Sequence, residues 1–265
     1  MQLIVSAGLI AVVVLWGLIS PASLDRVFST ALADITRNFG WFYLWVVLGL
    51  VVLAFFLAFS RFGDLKLGDE DDEPEFSIGA WFAMLFAAGM GIGLVFWGVA
   101  EPISHYANPP PGVIPGTPDA AGVAMRYAFF HWGLHPWAIY GIVGLSIAFF
   151  SFRRKALPLV SSATEALPWR FVQRLSPAFN VLAVVATAFG VAASLGMGAT
   201  QINSGLHAAF GTDIGRWTQA VIIVVTTVLF ITSAVTGVER GVKWLSMRNL
   251  VLGALVAPTL LVEGP

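Results

Sequence analysis

Uncharged apolar windows recur along the chain at about 3–20, 41–60, 76–100, 127–152, 177–199, 217–238 and 249–262. A helix that crosses the roughly 30 Å hydrocarbon core of a bilayer needs about 20 apolar residues. The first six windows therefore predict membrane-spanning helices. The seventh, 14 residues long, is short for a span and predicts a helix that is incomplete in this chain. Polar residues gather between the windows. Pro109, Pro110, Pro111, Pro115 and Pro118 fall close together and predict an irregular loop. Residues 237–247, GVERGVKWLSM, are basic and amphipathic and predict a segment lying along the membrane face.

Composition makes this pattern a membrane protein. The chain is 58% hydrophobic and 11% charged, against about 45–50% and 25% for soluble domains. Its net charge of −1, with no basic domain, excludes a nucleic-acid partner, and its lack of cysteine excludes disulfides and thiolate metal sites. Only Met1 and Gln2 precede the first window, so no positive n-region marks it as a signal peptide, and it reads as a retained span. Loops two, four and six hold ten Lys and Arg residues, and loops one, three and five hold four. The positive-inside rule then places the even loops and the N-terminus in the cytoplasm, and the third span runs from inside to outside. The acidic run Asp69, Glu70, Asp71, Asp72 and Glu73 reads as a solvated hinge in loop two.

The third window contains its own contradiction. It reads AAGMGIGLVFWGVAEP over residues 87–102, with Gly89, Gly91 and Gly93 on alternate positions. Each glycine costs a helix about 1 kcal/mol relative to alanine. Three in five residues predict an unwound turn, which at membrane depth survives only inside protein or along a cavity. Broken helices of this kind hold substrates and ions in secondary transporters. The competing explanation, close helix packing through small residues, prefers a spacing of four.

The fourth window opens with HWGLHPWAIYGIVG. On an unbroken helix Trp132, Trp137 and Tyr140 fall within an arc of about 140° and climb about 12 Å. Such a stripe suits a quaternary ammonium by cation–π attraction, or forms an interfacial aromatic belt. His131 and His135 share a metal-ligand spacing, but no Glu between them completes a zinc-protease motif, and packing is the simpler role. Glu101 is either a functional intramembrane acid or a helix-terminal group. In the fifth window Ala186, Gly190, Ser194 and Gly198 repeat every four residues as a packing face. Thr187 lies beside that face, and its hydroxyl either binds sodium or bonds its own helix.

Four motifs together resemble the betaine/choline/carnitine transporter family: GMGIGLVFWGVAEPISHY (89–106), FHWGLHPWAIYGIVGLSIAFFSFR (130–153), ATAFGVAASLGMGATQI (186–202) and GVERGVKWLS (237–246). The resemblance covers nearly the whole chain in order. It implies an all-α membrane protein, a helical bundle with two inverted five-helix repeats of leucine-transporter type behind two peripheral helices. Residues 1–60 would be the peripheral helices, 61–76 the acidic cytoplasmic loop, and 77–265 the first repeat. The second repeat would be absent, so the chain looks like the N-terminal half of a transporter. By the same resemblance Gly89, Met90, Gly91 and Gly93 line the substrate turn, and Trp132, Trp137 and Tyr140 match the aromatic box. Ala87 and Met90 match carbonyl sodium ligands, and Thr187 matches one threonine of a second sodium site. Val191 stands where sodium-coupled relatives have a further threonine. A homotrimer in the plasma membrane is implied as well.

The expectation is a sodium-coupled importer of glycine betaine or a related quaternary-ammonium compatible solute, serving osmotic stress. It is not an enzyme and needs no cofactor beyond the coupling ion. The alternatives are a choline or carnitine carrier, proton-coupled or an exchanger, and a truncated membrane protein that transports nothing. A channel would want a continuous polar lining, which these helices lack. A membrane enzyme would need a convergent catalytic set.

Overall fold

The computed structural model describes residues 1–89 and 91–263, and among these it contains helices and no strand. Helix α1 (Gln2–Ile19) is followed at once by α2 (Pro21–Phe59), with Ser20 as the joint and Pro21 in the first turn. The proline's missing N–H is unneeded there. Helix α2 has 39 residues and is about 58 Å long, nearly twice the hydrocarbon core. The charged stretch before residue 41, expected as a loop, is thus helical. Its polar groups serve the helix locally. Arg37 pairs with Asp34 one turn back, Ser29 Oγ donates to Asp25 at 3.3 Å, and Thr36 Oγ1 donates to the Leu32 carbonyl at 2.8 Å.

The third window becomes two helices, α3 (Ile78–Gly89) and α4 (Ile92–Ala107). The fourth becomes α5 (Pro118–Trp132), α6 (Leu134–Ala148) and a π turn (Phe149–Arg153). A short α7 (Val160–Glu165) precedes α8 (Arg170–Phe210) and α9 (Arg216–Val235). Gly237, at φ +83°, leads into a second π turn (Val238–Val242), and α10 (Lys243–Glu263) continues from it without a break. The segment 237–247 is therefore not a separate helix. Its second half is the start of α10, and the seventh helix reaches 21 residues. Among the described residues five helical stretches have the length and apolarity of membrane spans: Gln2–Ile19, Pro21–Phe59, Pro118–Arg153, Arg170–Phe210 and Arg216–Val235. The third window drops out of that set because neither of its halves is long enough alone.

Burial is reversed relative to a soluble protein. Among the described residues most buried apolar positions are alanines, Ala80, Ala83, Ala120, Ala124, Ala138 and Ala199, with Ile222 the one larger member. Leucine, valine and phenylalanine side chains point outward in large numbers. Small residues let helix backbones approach closely, which is how helices associate where lipid removes the usual hydrophobic drive.

Two compact units result, one from residues 1–72 and 125–190, the other from 73–124 and 191–265. In the first, α2 packs on α1 and on α6. Helix α7 is tied to α8 by Asn180, whose Oδ1 accepts the Ser161 N–H at 3.1 Å and whose Nδ2 donates to Ser161 Oγ at 3.0 Å. The acidic loop is docked rather than free. Arg153 donates to the Gly68 carbonyl at 2.9 Å and to Glu70 at 3.1 Å, and Lys155 donates to Asp69 at 3.0 Å. Lys155 takes a left-handed φ of +54° to do so, a conformation uncommon outside glycine. In the second unit α10 lies along α3, and Gly253 faces the Phe86 ring so closely that a Cβ there would stand 3.2 Å from it.

Candidate functional site

The interruption of the third span falls where the alternate glycines predict one. Helix α3 ends at Gly89 and α4 begins at Ile92, with Gly91 extended at φ −78°, ψ −179°. Met90 lies outside the described residues. Gly93, expected in the unwound turn, is instead the second residue of α4. A helix end leaves its last four carbonyls and first four amides without intrahelical partners. The carbonyls of residues 86–89, including that of Ala87, and the amides of residues 92–95 stand in that position. Gly91 caps α4 with no side chain, so the positive end of the helix dipole meets no competing group of its own cap. A Cβ on Gly91 or Gly93 would meet nothing within 4 Å.

Ala87 also lines a cavity of about 500 Å³ with Ser233, Leu245, Ser246, Arg248 and Asn249. Ser246 is buried. The Arg248 guanidinium carbon lies 3.4 Å from the centroid of the Trp244 ring. Sequence reasoning missed this cavity, because its lining joins residues of α3, α9 and α10 that are far apart along the chain. Glu101 sits inside α4, two turns before its end at Ala107, and is buried. His105 Nε2 lies 3.3 Å from its Oε1. The helix-terminal role considered for Glu101 therefore does not apply.

The aromatic stripe is not carried on one regular helix. Helix α5 ends at Trp132, Gly133 turns the chain at φ −87°, ψ −138°, and α6 starts at Leu134. The arc drawn through all three rings assumed an unbroken helix, and it holds only for Trp137 and Tyr140. These two rings meet edge to face, with centroids 6.1 Å apart and planes at 69°. They remain 46% and 60% exposed. The Trp132 carbonyl accepts the Trp137 Nε1–H at 3.1 Å. Gly133 and Pro136, within four residues of an apolar run, were the sequence signal for this break. His135 packs on Phe130 with centroids 4.4 Å apart, in keeping with a packing role. Thr187 lies exposed on α8. Val191, one turn further along, offers no oxygen.

Several membrane-length apolar helices, with the third window split into two half-helices, define a multi-pass membrane protein. The chain belongs to the betaine/carnitine/choline family of transporters, whose model matches residues 2–265. It is 52% identical over 256 residues to the glycine betaine transporter OpuD of Bacillus subtilis, covering 96% of this chain and 50% of that protein. It is 44% identical over 258 residues to a probable glycine betaine transporter of Desulfitobacterium hafniense, covering 94% and 52%. An ectoine/hydroxyectoine transporter of Virgibacillus pantothenticus is 42% identical over 252 residues, covering 95% and 50%. The chain thus spans about half the length of these curated relatives. The family and these relatives are transporters, not enzymes.

Proposed function

We propose that this chain supplies the first inverted repeat of a sodium-coupled importer of glycine betaine, acting in the plasma membrane under osmotic stress. The observation that carries the reading is the split third span, with α3 carbonyls and α4 amides left for a ligand. The identity to glycine betaine transporters supports the choice of solute. A trimethylammonium group has no N–H to donate, so aromatic faces such as Trp137 and Tyr140 suit it. A carboxylate suits the amides that open α4 beyond Gly89 and Gly91. Carbonyl oxygens of Ala87 and Met90 are suitable sodium ligands, whereas Thr187 with Val191 beside it makes a poor second site. By family resemblance the protein at its full length is a trimer, and the ten-to-four split of basic residues between even and odd loops favours a cytoplasmic N-terminus.

The test is uptake of labelled glycine betaine into liposomes holding the protein at its full natural length, under an imposed sodium gradient. Uptake should follow sodium with a Hill coefficient near one, and Val191→Thr should raise it. A wild-type coefficient near two would overturn the reading of Val191. Uptake driven by a pH gradient without sodium would remove sodium coupling and favour the proton-coupled alternative. Ectoine should be included as a competing solute, because one relative is named for it.

A further inference from the structure

Trp137 is held by a bond that an ordinary helix could not make. In an unbroken helix the Trp132 carbonyl would face the amide of residue 136. That residue is Pro136, which has no N–H and whose ring would collide with that carbonyl. The chain avoids the collision at Gly133. Only glycine fits there, since a Cβ would strike the Phe129 carbonyl oxygen. Helix α6 then restarts at Leu134, so Pro136 falls in a first turn, where its missing N–H does no harm. The indole N–H of Trp137 takes the place of the amide that proline lacks, reaching the Trp132 carbonyl at 3.1 Å. An indole has a single donor, so this bond fixes how the ring stands on α6. The Tyr140 ring then meets it edge to face.

We infer that the Gly133–Pro136 kink orients the Trp137 ring for the quaternary ammonium, which makes Gly133 and Pro136 positioning residues of the solute site. The inference rests on the glycine betaine reading above. Cation–π attraction requires the cation over a ring face, within about 6 Å of its centroid. A ring free to rotate presents that face only part of the time. The kink thus governs affinity for methylated ammonium groups in particular, beyond the general integrity of the span.

The experiment compares wild type with Pro136→Ala and Trp137→Phe in the protein at its full natural length. Equilibrium binding of glycine betaine and of dimethylglycine is read alongside the indole N–H band in the ultraviolet resonance Raman spectrum. Pro136→Ala restores a backbone donor that competes for the Trp132 carbonyl. It should shift the indole band toward the unbonded position, and it should weaken glycine betaine binding about threefold to tenfold, the worth of one hydrogen bond. Dimethylglycine should be affected less, so the preference for the third methyl group narrows. Trp137→Phe keeps a ring, loses the N–H and should give a similar loss, which covers the case in which Pro136→Ala does not insert. Wild-type preference between the two solutes in either variant, or an unshifted indole band in Pro136→Ala, would overturn the inference alone. Wild-type protein that binds no glycine betaine would overturn the functional reading and the inference with it.

Discussion

The chain interrupts two of its membrane helices, and the two interruptions are built in opposite ways. Between α3 and α4 three alternate glycines surround the break, yet Gly91 has an ordinary extended backbone and room for a Cβ. Between α5 and α6 a single glycine does the work, and no larger residue fits. The first break leaves backbone groups unclosed by any cap side chain of its own. The second is closed from within, with an indole N–H in place of the missing proline amide. An open break can receive a ligand, and a closed one can hold a side chain still. Neither the backbone angles nor the room around Gly91 require glycine there.

That contrast is open to direct attack. The largest effect is expected from Gly133→Ala, where the new methyl group meets backbone and neither can yield. Overpacking of this kind costs about 1–3 kcal/mol, measured as a loss of thermal stability in detergent. A variant as stable as wild type would mean the kink can move aside. Next come Trp137→Leu and Tyr140→Leu, which should weaken binding of a trimethylammonium solute by roughly 0.5–2 kcal/mol each. Phenylalanine at position 140 should lose less, and equal losses with leucine and phenylalanine there would point to packing instead of charge recognition. A third irregularity, the π turn after α6, is braced by Arg153 and Lys155 on the acidic loop. A double-mutant cycle on Glu70→Gln and Arg153→Gln should give about 0.2–1 kcal/mol of coupling. It should fade as salt approaches 1 M, where the Debye length falls to about 3 Å. A coupling that persists in high salt would mean the loop is held by something other than charge. The smallest effect is assigned to Gly91→Ala. Its stability should match wild type within about 0.5 kcal/mol, while glycine betaine uptake falls. A marked loss of stability would make the two breaks alike after all.

The spans and the first break were legible because each leaves a local mark. Apolar windows report lipid contact, and GMGIG concentrates three poor helix formers in five residues. The second break left a mark too, in Gly133 and Pro136, but a count of charges along a window passes over it. The helical start of α2 was hidden for the opposite reason. Its charged residues resemble a loop when counted, yet Arg37 and Asp34 satisfy one another one turn apart along a helix. The docking of Glu70 on Arg153 joins residues 83 positions apart, and no local pattern encodes it. The cavity beside Ala87 was illegible for the same reason, since its lining is drawn from three helices.

The reversal of large and small residues between surface and interior has a consequence for how the sequence can drift. A leucine or phenylalanine on the lipid side can be exchanged for another apolar residue, because acyl chains are fluid and refill whatever shape is left. An alanine such as Ala83 or Ala120 has no such freedom, since it is buried inside the protein and not bathed in a liquid. The record of selection in this protein should therefore be written in its least conspicuous residues, with methyl groups held fixed while the bulky side chains around them vary.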